Sequence, residues 1–254
     1  MAGRELVQRF FVPREALSHG TVAFGPEQSH QIATVLRLRP GDNLNVLDNA
    51  GWIYDVDLTE VSPLNTRGQV RARHLASGEP RTKLTLYLSL LKADKLEYVL
   101  QKGTELGVSG FVPVISDRSV IGSIISDNKR ARWERIVAEA AEQCERGRLP
   151  QLTPAVVFPQ ACEQVRGLSF IAAERGERPS LQKALTEKVG NAVGSRPFSL
   201  NLFIGPEGGY SPEETTLALT YGIIPVSLGP RILRAETAAV VGATLVLAYT
   251  GDLE

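Results

Sequence analysis

The sequence has only two cysteines and three histidines in 254 residues, and it has no long uninterrupted apolar segment. Cys144 and Cys162 match neither a disulfide framework nor a cysteine metal site, which indicates a reducing compartment. The histidines lack metal-ligand spacing, so we expect no bound metal. The longest apolar segment, residues 238–249, is shorter than the ~20 residues of a membrane span and predicts a buried helix. Since residues 1–13 contain no long apolar stretch, we expect a cytoplasmic protein without a signal peptide or a membrane partner.

The chain also lacks a charge of one sign, because 28 basic and 28 acidic side chains give a formal net charge of zero. That balance argues against a partner held by a large electrostatic field, such as a nucleic acid. However, 21 of the basic residues are arginine and only 7 are lysine. The planar guanidinium suits phosphates and base edges, although a GC-rich genome produces the same bias. The composition therefore leaves an RNA partner open.

Residues 1–76 have the pattern of a small β-domain. Short β-type runs are separated by turn residues such as Pro40-Gly41-Asp42 and are interrupted by a single predicted helix at 28–36. The predicted strands are 8–12, 21–24, 43–47, 53–58 and 69–74. Strands of this length and spacing predict a small β-barrel, and a linker at 77–82 ends it.

Residues 82–254 alternate strands with helices, which predicts an α/β fold with a parallel sheet covered on both faces. Asp94 is predicted to cap a helix that ends at Gly107. The further predicted strands are 84–91, 111–115, 168–173, 199–204 and 223–228, the further helices are 128–146 and 236–249, and a surface loop is predicted at 190–197.

Two loops at the ends of predicted strands carry the chemistry. The first contains three glycines in Gly205-Pro206-Glu207-Gly208-Gly209, after which Ser211, Pro212 and Glu214 form a capping box for a helix. This pattern is typical either of a tight strand-to-helix turn or of a backbone that approaches a ligand. No Lys-Ser/Thr pair follows the glycines, which argues against a P-loop.

The second loop is Ser227-Leu228-Gly229-Pro230-Arg231-Ile232-Leu233-Arg234-Ala235-Glu236. Glu236 lies in the first turn of the last helix, where the helix dipole favours a carboxylate. Arg231 and Arg234 near this carboxylate form either a surface ion pair of little consequence or a binding surface for an anionic substrate. The spacing alone does not decide between the two.

Together these two loops resemble those of the RsmE family, ribosomal small-subunit methyltransferases that methylate N3 of a uridine in 16S rRNA. The resemblance extends over nearly the whole chain, through three further segments in the same order. These are His30 with residues 35–42, Lys102-Gly103-Thr104-Glu105-Leu106-Gly107-Val108, and Glu142-Gln143 followed by Arg146 and Pro150.

The resemblance implies an N-terminal PUA-like barrel that binds RNA and a C-terminal SPOUT-type domain with a deep trefoil knot. It also implies a homodimer that acts on 16S rRNA in the small ribosomal subunit. The methyl donor, S-adenosylmethionine, would lie in the knot, bound largely by backbone groups. By residue-for-residue transfer, the cofactor-binding positions are Gly205, Pro206, Glu207, Gly208, Gly209, Leu228, Gly229, Ile232, Leu233 and Ala235.

Methylation of N3 also requires that the uracil lose its proton, so a carboxylate and a cation are expected near the base. Glu236 is the candidate for accepting the proton, and Arg234 and Arg146 are candidates for stabilising the anion. Arg9, Arg37 and Arg39 are candidate RNA contacts, since the first 76 residues contain no lysine; ordinary solvated arginines are the alternative.

Two other functions stay open, a SPOUT methyltransferase for another RNA such as tRNA and an RNA-binding assembly factor without turnover.

Overall fold

Residues 7–119, 125–173, 177–190 and 199–253 are described by a computed structural model, and the chain divides into two compact units. The first unit comprises residues up to Glu79 together with 141–149, and the second comprises 80–140 and the chain from Pro150. The division after Glu79 falls inside the linker predicted at 77–82. The predicted loop at 190–197 lies almost entirely outside the described residues.

The first unit is a six-stranded mixed sheet in the order β1-β4-β5-β6-β3-β2. Its strands are β1 (Arg9–Phe11), β2 (Leu17–Ser18), β3 (Thr21–Phe24), β4 (Asn43–Leu47), β5 (Trp52–Val61) and β6 (Thr66–Leu75), and its helical segment is α1 (Pro26–His30) with a π turn at Gln31–Val35. Alternate side chains of these strands point to one core that contains Phe10, Val22, Ile32, Leu44 and Val56.

The predicted small β-barrel is not confirmed, because among the described residues the sheet of the first unit is mixed and ends at β1 and β2 without closing. β1 pairs only with β4, in parallel, and β2 pairs only with β3 among the described residues. Closure would require β1 to pair with β2, which is two residues long and follows a 3₁₀ turn at Arg14–Ala16. A strand this short offers too few backbone groups for such a ladder.

The second unit contains a seven-stranded sheet in which every pairing is parallel, as predicted. The order is β10-β8-β7-β12-β11-β13, with β9 beside β8. The strands are β7 (Lys83–Ser89), β8 (Gly110–Ile115), β9 (Gln151–Leu152), β10 (Val156–Val157), β11 (Leu168–Ala172), β12 (Ser199–Ile204) and β13 (Ile224–Val226). The helices are α2 (Ala93–Leu106), α3 (Asp127–Gln143), α4 (Phe158–Gln164), α5 (Leu181–Lys188), α6 (Pro212–Thr220) and α7 (Ala235–Tyr249).

Both faces of this sheet are buried, which explains why its strands are almost continuously apolar. Along β12, Leu202 packs into one hydrophobic core with α2, α5 and α7, whereas the next residue, Phe203, packs into a second core with α4 and α6. The ring of Phe203 stacks on that of Tyr87 in β7, with centroids 4.2 Å apart.

Helix ends follow the predicted local signals in part. Gly107 ends α2 with a left-handed φ of 106°, as predicted. Asp94 does not cap α2, because the N-cap is Lys92 and Asp94 lies inside the first turn, where its charge still favours the helix dipole. The predicted helix 128–146 ends at Gln143, and Glu145 has a φ of 65° that α-helix does not allow.

The carboxylate of Asp252 connects the C-terminal end of the second unit to residues 81–82 at its start. It accepts hydrogen bonds from the amides of Arg81 and Thr82 at 2.8 and 3.2 Å and from Thr250 Oγ1 at 2.9 Å. Burial alone would raise the pKa of this carboxyl, but the hydrogen bonds from Thr82, Arg81 and Thr250 hold it below its ordinary value of 3.8.

We therefore expect Asp252→Asn to lower the free energy of unfolding by about 1–2 kcal/mol at neutral pH. Since the folded-state pKa is depressed, the stabilisation is present above the ordinary value of 3.8 and is lost as the pH falls through the lower folded value. Thermal unfolding of both proteins across pH measures this. The gap between them is expected to be constant near neutrality and to close in acid; a gap that persists in acid would contradict the account.

Candidate active site

The first glycine-rich loop, residues 205–211, connects β12 to α6 and is held at both ends. Gly209 N donates to Pro206 O at 2.9 Å, which closes a turn inside the loop. The predicted capping box is confirmed: Ser211 Oγ accepts from Glu214 N at 3.1 Å, and Ser211 N donates to Glu214 Oε2 at 2.9 Å. The loop therefore enters α6 in a fixed direction.

A third segment, which the sequence did not reveal, supports this loop from the end of β8. The other oxygen of Glu214, Oε1, accepts from Asp117 N at 2.9 Å, and Asp117 Oδ2 accepts from Ser211 Oγ at 2.9 Å. Arg118 Nη1 donates to Gly208 O at 2.8 Å. No local sequence pattern marks this segment, because its contacts with the loop form only in the folded structure.

Tyr210, a residue of the same loop, takes part in a chain of hydroxyl groups. Ser89 Oγ donates to Tyr210 Oη at 3.4 Å, and Ser116 Oγ lies 3.0 Å from Ser89 Oγ and 2.8 Å from Ser119 Oγ. Burial raises the pKa of Tyr210, so the phenol stays protonated and positions the loop rather than accepting a proton.

The second loop, residues 227–234, follows β13 and is anchored to the segment before α5. Ser227 N donates to Pro179 O at 3.0 Å, and Leu181 N donates to Ser227 O at 2.9 Å. Gly229 has a φ of 132°, which side chains rarely tolerate. Arg234 is the N-cap residue of α7, and Glu236 lies in the first turn of that helix, as predicted.

Lys95 in α2 connects the two loops through their carboxylates. Its Nζ lies 3.0 Å from Glu207 Oε1 and 3.8 Å from Glu236 Oε2. Burial would raise the pKa of Glu207, but the hydrogen bond from Lys95 and a backbone hydrogen bond more than offset it and lower the pKa. The hydrogen bond to Glu207 raises the pKa of Lys95 in turn. Both groups are therefore charged near neutral pH, so Lys95 and Glu207 form an ion pair.

A cavity of about 580 Å³ lies between the two loops. Nine of the ten predicted cofactor-binding residues line it; the exception is Glu207, whose carboxylate binds Lys95. Arg234 and Glu236 are not in its lining either, although their neighbours Leu233 and Ala235 are. Arg118 and Arg178 line the cavity and were not predicted, because only the fold brings them to it.

The remaining predicted site residues lie in the first unit. Arg146 is buried and binds Glu79, with Nη2 3.1 Å from Oε2, and Glu79 Oε1 also accepts from the Gly147 amide at 3.0 Å. Arg9 is largely buried and lies 2.9 Å from Glu145 Oε1. These two guanidinium groups have structural carboxylate partners, and their assignment to catalysis and RNA contact stays a prediction.

Arg37 and Arg39 are exposed, whereas Leu36 and Leu38 pack against the core of the first unit. Charged and apolar side chains therefore alternate along residues 36–39. The segment is not a regular extended strand, because Arg37 has a φ of 56°.

Among the described residues, no group of three or more His, Cys, Asp or Glu side chains is arranged to bind a metal. In the same part of the chain, no helix combines the length and apolar character needed to cross a membrane.

Comparison with known proteins assigns the family. The model of the RNA methyltransferase domain matches residues 78–247. The Ribosomal RNA small subunit methyltransferase E of Synechocystis sp. is 35% identical over 239 residues, 93% of this chain and 76% of that protein. The protein of that name from Bacillus subtilis is 30% identical, over 91% of this chain and 93% of that protein. The crystal structure of a Ribosomal RNA small subunit methyltransferase E from Neisseria gonorrhoeae bound to S-adenosyl methionine matches with a TM-score of 0.83 and 28% identity, over 95% of this chain and 97% of that chain. The chain therefore belongs to the ribosomal RNA small subunit methyltransferase E family.

Proposed function

We propose that this chain transfers a methyl group from S-adenosylmethionine to N3 of a uridine in the 16S rRNA of the small ribosomal subunit. The observation that carries the proposal is the cavity between loops 205–211 and 227–234, in a family with a member crystallised bound to this cofactor. The proposed location is the cytoplasm. The site of methylation and the subunit as substrate follow from the family resemblance.

The residues of the cavity fit this cofactor. A volume of about 580 Å³ suits a nucleoside joined to an amino acid. At Gly208 an added Cβ would lie 3.3 Å from Arg118 Cδ, so a side chain there would displace the arginine that holds the loop. The space beside Gly229 is open, because no atom lies within 4 Å of an added Cβ, so the backbone of loop 227–234 is accessible to a ligand there.

When bound, S-adenosylmethionine supplies an electrophilic methyl group and needs no metal. The chain has to hold the uracil in line with this group and to remove the N3 proton. We assign proton removal to Glu236, whose Oε2 is buried, lies 3.8 Å from Lys95 Nζ and accepts no hydrogen bond from the described residues. Arg234, two residues earlier at the N-cap of α7, is assigned to stabilise the negative charge on the base oxygens.

The conformation of Gly229 gives a prediction about cofactor binding. An added Cβ has no atom within 4 Å there, so the cost of Gly229→Val comes from the backbone, on the order of 1–3 kcal/mol. We expect a roughly 10- to 100-fold loss of affinity for S-adenosylhomocysteine in calorimetry. Gly222→Val is the matched control, because Gly222 also has a positive φ, of 75°, and open space but lies outside the cavity lining. Equal affinity losses in the two variants would contradict a role of loop 227–234 in binding.

The first unit is proposed to bind RNA as a PUA-like module, through Arg37 and Arg39. Both side chains are exposed and lie next to the partly buried Leu36 and Leu38. Among the described residues, neither guanidinium forms an ion pair with a carboxylate, so both charges are available to RNA. Each arginine that contacts a phosphate contributes about one unit to the slope of log affinity against log salt. Arg9 is the weakest member of the predicted set because Glu145 binds its guanidinium.

We expect Arg37→Ala and Arg39→Ala each to lower the affinity for small subunits and to reduce that slope by about one. Filter binding at several salt concentrations measures both quantities. Arg135→Ala serves as the control, since Arg135 is an exposed arginine of the second unit that pairs with Glu139. A slope that is unchanged in both variants would place the RNA surface elsewhere.

A deep trefoil knot and a homodimer belong to the same proposal. The strand order β7-β12-β11-β13 departs from chain order, and the knot itself follows from the family resemblance. Sedimentation equilibrium of the purified protein tests the dimer.

Two measurements separate this function from its alternatives. Calorimetry with S-adenosylmethionine distinguishes an enzyme from an assembly factor without turnover, which would show no binding in the cavity. Transfer of labelled methyl groups to small subunits that lack the modification, compared with transfer to tRNA, distinguishes the proposed enzyme from one that acts on another RNA. We expect label in the small subunits only.

A further inference from the structure

The charged side chains that line the cavity are all arginines. They are Arg118, Arg178 and Arg231, and no carboxylate lies among the described lining residues. Arg118 already donates to Gly208 O, and Arg231 is exposed. Arg178 differs from both, because it is partly buried and its Nη1 is a buried donor without a hydrogen-bond partner among the described residues. A buried guanidinium donor without an acceptor is energetically unfavourable. A hydrogen bond from it to an anionic ligand would therefore favour binding of that ligand.

Hydrogen bonds hold the backbone on the C-terminal side of Arg178. Pro179 O accepts from Ser227 N, and Ser227 O accepts from Leu181 N, so residues 179–181 run alongside the start of loop 227–234. Ser180 also caps α5 by accepting from Lys183 N at 3.2 Å. Arg178 thus immediately precedes an anchored segment, residues 179–181, beside loop 227–234.

We propose that Arg178 is an anion-binding residue of the cavity, which pairs with a carboxylate or phosphate group of the ligand. Two ligands of the proposed function carry such a group: the methionyl carboxylate of the cofactor and a backbone phosphate of the RNA. The inference rests on the proposed function. It adds a side-chain contact to a site otherwise formed by backbone groups.

The test compares two cofactor analogues in calorimetry with the full-length wild type and Arg178→Met. S-adenosylhomocysteine carries the carboxylate, and 5′-methylthioadenosine lacks the whole amino-acid part. If Arg178 pairs with the carboxylate, the variant loses about tenfold or more in affinity for S-adenosylhomocysteine and keeps its affinity for 5′-methylthioadenosine. If it pairs with an RNA phosphate, both affinities are unchanged, and filter binding to small subunits shows a salt slope reduced by about one. Arg135→Met controls for the loss of a positive charge outside the cavity.

Equal losses for both analogues would show that Arg178 only shapes the cavity, and unchanged binding of both analogues and of subunits would show that it meets no anion. Either result overturns the inference while the wild type still binds S-adenosylhomocysteine. Failure of the wild type itself to bind either analogue would instead overturn the proposed function, and the salt slope would still report on Arg178.

Discussion

Turnover by Glu236→Gln is expected to fall about 100-fold or more, with the affinity for S-adenosylhomocysteine nearly unchanged. The size follows from the usual contribution of a positioned proton acceptor, about 10²- to 10⁴-fold. Glutamine preserves the shape of the side chain but cannot accept the proton of uracil N3. The carboxylate lies in the first turn of α7 and outside the cavity lining, so its loss leaves the predicted cofactor contacts in place.

Single-turnover methyl transfer to small subunits measures this effect, and the pH dependence separates chemistry from structure. As the pH rises toward the ionisation of uracil N3, the base loses its proton without help, so the deficit of the variant is expected to shrink. Glu105→Gln is the control, because Glu105 pairs with Lys102 on the far part of α2. A deficit that is independent of pH, or full turnover, would remove Glu236 from proton transfer. Full turnover of Arg234→Ala in the same assay would remove that arginine.

The second large effect is on stability, and Glu214→Ala produces it. The two carboxylate oxygens accept from the amides of Asp117 and Ser211, and the glutamate itself is buried. Alanine leaves both amides without these acceptors, at about 1–3 kcal/mol each. We expect a loss of about 3 kcal/mol, which corresponds to a fall in the melting temperature of roughly 6–12 °C for a protein of this size.

Glu213→Gln is the matched control for this variant. Glu213 is the preceding residue, lies in the same first turn of α6 and is exposed, so its replacement is expected to leave the melting temperature almost unchanged. Affinity for the cofactor is expected to fall in Glu214→Ala as well, because loop 205–211 loses one of its connections to the segment that follows β8. A Glu214→Ala protein as stable as the control would show that this connection contributes little.

Features of the fold that depend on residues close together in the sequence were predictable from the sequence. The Ser211-Pro212-Glu214 capping box and the left-handed Gly107 are local backbone signals, and both are present. The parallel sheet followed from apolar strands alternating with helices. The short helix α4 was missed because seven residues give less than two turns of periodicity.

What the sequence did not reveal depends on strand order and on contacts between distant segments. The open edge of the first sheet follows from the pairing of β1 with β4, which no pattern within either strand encodes. The cofactor loops were found through glycine content and family resemblance. In contrast, Lys95, Arg118 and Arg178 approach these loops only because the sheet places the ends of separate strands and helices together.

The most direct test of the central claim is to map the methyl group that the protein transfers. Small subunits from a strain that lacks the modification are incubated with the protein and deuterated-methyl S-adenosylmethionine, and the digested rRNA is analysed by mass spectrometry. The account predicts one labelled N3-methyluridine per subunit, and none when the subunits already carry the modification. Label on another base or in another RNA, or no label at all, would contradict it.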